Sequence, residues 1–389
     1  MKSPRQPNDI RFTLANFSGA IIAVFALFMS PLYVGGLIEQ FGLSEAEAGM
    51  MLTVEIGAIA VTTFLLAPWL HLFKMRKLAF MGVAVVLLSN GLSFWLVGIT
   101  TIGGTRVLVG IGTAMVLVAS ASVVSRISDP DKAVAYVTVG VALSLSVLLI
   151  VASEMKAYWG YRGVCVVFAA VSILALLGLW QLPNASNGKS EEGLSSSLDS
   201  SLFVISAFAL LAVALVNLTD TALWGFSERV AERLQLSEST TGMVLSAAQV
   251  AALFGASTAI VLGDRLPRLV PILMGLLLLG TGGYIVYNTD SVVLFVVSLL
   301  GGSYGLFVVF PYLLGACARV DKAGHLMALA GGAQVVGGAV GPALAGAVIE
   351  ASGYQGLGSL IVALTLASAV FCILFVYRMH AHIVNDGRV

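Results

Sequence analysis

Few side chains in this sequence could do chemistry, and those few stand in apolar surroundings. Arg106 lies in the stretch TRVLVGIG, residues 105–112, and no other charge occurs between Leu92 and Val124. A charge at membrane depth costs about 2.5 to 3.5 kcal/mol on insertion scales, so Arg106 requires a water-filled cavity or an acidic partner. Glu55 and Asp220 are placed in the same way, each inside an apolar run, and Glu154 stands close to the end of another. Burial away from water favours the protonated form of a carboxyl group, while a neighbouring guanidinium favours the ionised form. That competition is what a proton switch requires. As a fixed donor fork, Arg106 also suits a solute that carries a carboxylate. The plainer reading is structural: Arg106 and Glu55 form a buried tie between helices, and Asp220, with Asn217 and Thr219, lines a polar mouth.

Other chemistries find no constellation to carry them. Cys165, Cys317 and Cys372 sit in apolar runs without metal-ligand spacing and read as small buried hydrophobes. His71, His325, His380 and His382 fall at or beyond the ends of runs and supply no full ligand set. No run places a nucleophile and a base at helical spacing. The expectation is a protein with no metal, no cofactor and no enzymatic step.

The elements that must position Arg106, Glu55 and Asp220 are set by composition. Of 389 residues, 59% are hydrophobic and 10% charged, against about a quarter charged in a soluble domain. The solvent for this chain is lipid. A formal net charge of zero argues against a nucleic-acid partner. The uncharged run Phe12 to Ile38 is too long for a signal-peptide core and reads as the first span. Further runs at about 47–70, 78–99, 101–125, 133–153 and 163–183 complete six. The polar segment NASNGKSEEGLSSSLDS, residues 184–200, has the composition of a flexible linker. Six more runs follow at about 201–226, 239–262, 269–287, 291–317, 324–349 and 356–378. The domains are therefore 1–183, a linker at 184–200, and 201–389. The class is an all-α polytopic membrane protein with 12 transmembrane helices in two six-helix bundles.

Orientation follows from Lys and Arg, which accumulate in cytoplasmic loops near span ends. One side holds Lys2, Arg5, Arg11, Lys74, Arg76, Lys77, Arg126, Lys132, Lys189, Arg265, Arg268, Arg319, Lys322, Arg378 and Arg388. The other holds Lys156, Arg162, Arg229 and Arg233. Both termini and the linker are thus expected in the cytoplasm, with the chain in the inner (plasma) membrane. Tyr158 and Trp159 at one boundary and Trp69 at the other suit the aromatic belts. At about 1.5 Å per residue, Glu55, Arg106 and Asp220 lie roughly 12, 8 and 9 Å from the outer face of a core about 30 Å thick. All three fall in its outer half.

The two halves resemble each other. LSEAEAGMML at Leu43 matches LSESTTGMVL at Leu236 in six of ten positions. Ser44 with Glu47 fits a capping box, and Ser237 is placed to cap the second copy. GGTR, ending at Arg106, pairs with GGSY, ending at Tyr304, and DKA at Asp131 pairs with DKA at Asp321. Six spans have been duplicated, an arrangement related by a pseudo-two-fold axis along the membrane normal, with the substrate site between the halves near mid-membrane.

Arg106 followed by Gly110 and Gly112, the twelve spans, the central linker and the repeat together resemble the major facilitator superfamily over the whole chain. The resemblance implies a secondary transporter with Arg106 facing a central cavity. It implies that the first, fourth, seventh and tenth spans line that cavity, which makes Tyr304 a hydrogen-bond donor to substrate and brings Trp224 near it. In the loop after the second span, APWLHLFKMRK, His71 stands where the family carries Asp, and Lys74, Arg76 and Lys77 follow. The matching loop LGDRLPR keeps Asp264 and Arg265. These loops serve the family as latches on the inner gate. The family's antiporter signature is absent from the fifth span, AVAYVTVGVALSLSVLLIVASE, whereas the eleventh carries GGAQVVGGAVGPALAG. There, and at Gly110 and Gly112, small residues permit close helix packing; Gly337, Gly341 and Pro342 mark the eleventh-span contact.

The reading is a secondary active transporter of a small organic solute, an organic anion by the Arg106 argument, coupled to protons and working by alternating access. Its partners are the solute, protons and the bilayer, and the chain is expected to be a monomer. One rival is a multidrug efflux antiporter, favoured by the scarcity of cavity charges; another is a receptor or scaffold built on a transporter fold.

Overall fold

In a computed structural model of the chain, residues 7–95, 98–184, 200–263, 265–320 and 325–385 are described. They are helical almost throughout, with no strand among them. Hydrocarbon offers backbone N–H and C=O groups no partner, and a helix satisfies them within its own segment. The helices are α1 (Pro7–Phe28), α2 (Ser30–Phe41), α3 (Glu45–Leu66), α4 (Met75–Leu92), α5 (Ile99–Ala121), α6 (Pro130–Trp159), α7 (Tyr161–Leu179), α8 (Ser200–Gly225), α9 (Ser227–Arg233), α10 (Glu238–Leu262), α11 (Leu269–Asn288), α12 (Val292–Val320) and α13 (His325–Asn385).

Among the described residues, 11 helical stretches are long and apolar enough to cross a membrane. The last, α13, has 61 residues. At about 1.5 Å per residue it is far too long for one crossing of a core about 30 Å thick. It is two helices joined at Gly353, whose φ of 69° is a left-handed conformation that glycine adopts without a Cβ clash. It supplies two crossings where sequence expected two spans separated by a loop over 350–355; the loop is one residue. The first span also differs from expectation, because it is interrupted at Met29 between α1 and α2. Pro31 is the cause: it has no N–H to give to the preceding turn.

The chain divides into two compact units. The first takes Met1–Leu43, Met50–Glu192 and Glu238–Ser246; the second takes Ser44–Gly49, Gly193–Ser237 and Ala247–Val389. The sequence-based boundaries at 183 and 201 lie beside a segment, 185–199, outside the described residues.

Glycines set how closely the helices approach. In the first unit a Cβ on Gly82 of α4 would lie 2.5 Å from the Gly112 carbonyl of α5, and one on Gly112 would lie 2.6 Å from the Gly82 carbonyl. The second unit repeats this contact 193 residues on (82 to 275, 112 to 305), where Gly275 and Gly305 face each other's carbonyls at 2.5 Å. Gly110 similarly lets α5 approach α3, with the Glu55 carbonyl 2.5 Å from its missing Cβ. Gly337 and Gly341 bring α13 onto α8, where an added Cβ would run into the Ala214 carbonyl and the Thr221 hydroxyl respectively. The Pro342 carbonyl lies 2.3 Å from the missing Cβ of Gly49.

Helix starts carry their caps. The Ser44 N–H donates to Glu47 at 2.9 Å and the Glu47 N–H donates to Ser44 Oγ at 3.2 Å, a closed capping box. Asp129 caps α6 by accepting from the Lys132 N–H, and the Lys132 ammonium on the same carboxylate holds it below the usual carboxylate range. Trp69, Tyr158 and Trp159 are exposed.

Candidate functional site

Arg106 lies on the buried stripe of α5, with Ile102, Val109, Gly110 and Thr113 one and two turns away on the same face. Nothing about α5 itself pairs a charge, so the partners come from neighbouring helices that its glycines draw close. Gly110 brings α3 near, and one Arg106 Nη1 donates to Glu55 Oε2 at 3.4 Å. Gly112 brings α4 near, and Nη2 donates to Asn90 Oδ1 at 3.3 Å and to Ser93 Oγ at 3.1 Å. Ser93 is held in turn by donating to the Ser89 carbonyl, at 3.0 Å, with Thr105 Oγ1 as an alternative acceptor at 3.3 Å. Arg106 and Glu55 are each 1% exposed.

Two aromatic rings complete the shell. The Arg106 guanidinium carbon lies 5.5 Å from the Tyr33 ring centre and 5.7 Å from that of Tyr161. The two ring centres are 5.8 Å apart and inclined by 59°, so the guanidinium sits in the mouth of a V rather than between parallel plates. Desolvated cation–π contacts of this kind contribute about 2 kcal/mol. Tyr33 is carried by α2, just beyond the Pro31 bend, and Tyr161 is the first residue of α7. Gly36 seats α2 on the Tyr161 backbone, where a Cβ would come within 2.9 Å of its Cα. All of these groups belong to the first unit.

A second buried charge escaped the sequence reading. Lys156, counted there only for topology, is 3% exposed. Its ammonium donates to both Glu39 oxygens at 2.9 Å and to Glu238 Oε1 at 2.5 Å. Ser153, one turn earlier on α6, donates to the Glu238 carbonyl at 2.5 Å. Glu39 is on α2, so one short helix carries both Tyr33 and the carboxylate that meets Lys156.

The remaining sequence-derived residues are dispersed. Asp220 on α8 is partly exposed, and no hydrogen bond or ion pair engages it among the described residues. Asn217, one turn earlier, donates to the Gln334 carbonyl of α13 at 2.5 Å. Trp224, one turn later, is buried. Tyr304 donates to Thr258 Oγ1 of α10 at 2.9 Å, which commits to a helix contact the proton expected to serve a substrate. Arg106, for which the sequence required a water-filled cavity or an acidic partner, has the acidic partner in Glu55. Of the latch residues, Asp264 lies outside the described residues, Arg265 is exposed, and His71 Nδ1 lies 3.1 Å from the Pro68 carbonyl of its own turn. Arg76 donates through Nε to the Leu182 carbonyl at 2.8 Å and lies 5.5 Å from the Trp180 ring centre, which ties the start of α4 to the end of α7. A cavity of about 190 Å³ in the second unit is lined by Ala259, Gly263, Arg268, Pro311 and Tyr312, none of them among the expected substrate contacts.

The model of one protein family, the Major Facilitator Superfamily, matches residues 16–216 and again 202–388. No curated protein matches the chain. Among solved structures, a bacterial homologue of the human lysosomal transporter Spinster, crystallised in an inward-facing and unoccupied conformation, superposes with a TM-score of 0.74. The alignment covers 97% of this chain and 99% of that one at 15% identity, so the likeness is one of fold.

Proposed function

The chain belongs to the major facilitator superfamily, and from that premise we propose that it is a proton-coupled secondary transporter of a small organic anion. A multi-pass membrane protein of this family moves its solute by alternating access, and here the coupling falls to Glu55 and Arg106. The observation that carries the reading is their contact: one oxygen, 3.4 Å, both groups enclosed. A guanidinium can hold two carboxylate oxygens side by side; this one holds a single oxygen at long range. A proton arriving on Glu55 removes the counter-charge and leaves Arg106 open to a substrate carboxylate. When the proton departs, Glu55 competes for the guanidinium again and the substrate is released. Proton and anion therefore travel together.

We place the protein in the inner (plasma) membrane as a monomer, with both termini and the 184–200 linker in the cytoplasm, on the distribution of Lys and Arg. The inner-gate role of Asp264, Arg265, His71 and Arg76 belongs to the same proposal. A second reading, efflux of hydrophobic compounds in exchange for protons, draws on Asp220, a partly exposed carboxyl within an apolar span.

Purified protein screened by thermal shift against organic acids and against drugs at two pH values separates the two, because a ligand of the folded state raises its stability. The acid with the largest shift then enters proteoliposomes with and without an inward proton gradient. Accumulation only with the gradient is the expected result. Hits confined to cationic drugs would favour the efflux reading.

A further inference from the structure

The cavity of about 190 Å³ in the second unit takes no part in the transport reading. It is far larger than the roughly 10 to 15 Å³ that one water needs. Ala259 and Gly263, at the end of α10, line it together with Pro311 and Tyr312 of α12. Tyr312 donates to the Gly263 carbonyl at 3.0 Å, so its hydroxyl proton shapes the wall and is already spent. The charge comes from Arg268, at the start of α11. Its side chain reaches across to α12, where Nη1 stands 3.2 Å from the place a Cβ would take on Gly315. Arg319 follows Gly315 by one turn on the same face of α12 and is exposed, as is Arg265 before α11. The neighbours of these residues in the chain are apolar and open to the bilayer. Ile260 and Val261, beside Ala259, are 82% and 66% exposed, and Leu266 and Val270 on either side of Arg268 are exposed as well.

We propose that this cavity binds the phosphate headgroup of an anionic phospholipid, with Arg268 as its donor, Arg265 and Arg319 adding positive charge, and the acyl chains along Ile260 and Val261. A guanidinium carries five N–H donors in a planar fork that matches phosphate oxygens in pairs, so contacts to protein leave others for a ligand. The end of a span is the depth at which headgroups lie, and basic cavities between helices on the cytoplasmic side suit anionic ones. The orientation proposed above puts the end of α10 on that side. A soluble phosphate has no use for the apolar flank, whereas a lipid has. The proposal stands apart from the choice of transported solute.

The test uses the full-length protein in detergent, stripped of lipid, and reads the melting temperature with phosphatidylglycerol, phosphatidylcholine or inorganic phosphate added. Phosphatidylglycerol should raise it, and the other two at the same concentration should not. Arg268→Gln should weaken phosphatidylglycerol about tenfold in apparent affinity, the scale of one hydrogen bond to a charged group. Ala259→Leu, which fills the cavity and keeps every charge, should weaken it too, and decides the matter alone if Arg268→Gln does not fold. Arg11→Gln, at an exposed arginine of the first unit, should leave it unchanged. Equal shifts with phosphatidylglycerol and phosphatidylcholine would mean general solvation by lipid and overturn the proposal. A shift with inorganic phosphate that depends on Arg268 would make this a site for a soluble anion, and overturns it as well. So does undiminished affinity in either cavity variant, or an equal loss in Arg11→Gln.

Discussion

Arg106 and Glu55 meet at 3.4 Å through a single oxygen, longer than the roughly 2.7 to 2.9 Å of a strong charge-assisted hydrogen bond. Breaking a buried pair by removing one partner costs about 3 to 5 kcal/mol, because the other charge is stranded. Glu55→Gln should therefore lower the melting temperature of the purified protein, and Glu55→Gln with Arg106→Gln should recover much of the loss. Equal melting in the single variant and the wild type would mean that the contact carries no energy. The same reasoning applies to Lys156, where Lys156→Met strands Glu39 and Glu238 side by side. Its melting temperature should fall further than that of Lys156→Arg, which keeps the charge. At this scale the sequence announced Arg106, Glu55 and Asp220, since an ionisable group in an apolar run is rare enough to be conspicuous. Asn90 and Ser93 were visible in LLSNGLS as polar residues three apart, but such residues are common in membrane helices. Tyr33 and Tyr161 carried no signal at all, because an aromatic residue in lipid packs or faces acyl chains in most cases. Lys156 was hidden by its position near a span end, where a basic residue is ordinarily solvated.

Among the helices, stability turns on the glycine contacts. Adding a methyl group at Gly82 or Gly275 would place a carbon 2.5 Å from a backbone carbonyl that cannot rotate away. Overpacking of this kind costs about 1 to 3 kcal/mol. Gly82→Ala and Gly275→Ala should each lower the melting temperature, and by similar amounts, since they are equivalent positions in the two repeats. Gly91→Ala on the same helix as Gly82, where no atom stands within 4 Å of the added carbon, should be neutral or slightly stabilising because alanine is the better helix former. Loss of stability in all three would show that close approach does not set the effect, since the backbone-entropy change of Gly→Ala favours the folded state at each position. Span number and order were legible from apolar runs and the repeat. Two local features were not. The interruption at Met29 follows from Pro31, which in an unbroken apolar run is outweighed by the hydropathy around it. The reversal at Gly353 needs one residue, and no composition change marks so short a turn.

For the whole molecule, topology and coupling are the claims to check. Single cysteines at Ser190 and at Ser239 in a cysteine-free background should label differently with an impermeant reagent in intact cells. Labelling at Ser239 and protection at Ser190 are expected; the reverse would invert the orientation. The twofold repeat was readable in LSEAEAGMML and LSESTTGMVL, and the packing of Gly82 on Gly112 and of Gly275 on Gly305 gives that repeat a physical basis. What the duplication could not convey is its asymmetry: an enclosed ion pair stands at Arg106 in one repeat, and in the register of the glycine contacts, 193 residues on, the matching position of the other is the buried Leu299. The central claim is that Glu55 links the proton to the anion. Its most direct measurement is gradient-driven accumulation of the organic acid that most stabilises the wild type, in proteoliposomes containing Glu55→Gln. Accumulation above equilibrium should disappear while exchange of the same acid across the membrane persists. Undiminished accumulation at the wild-type dependence on the gradient would contradict the account.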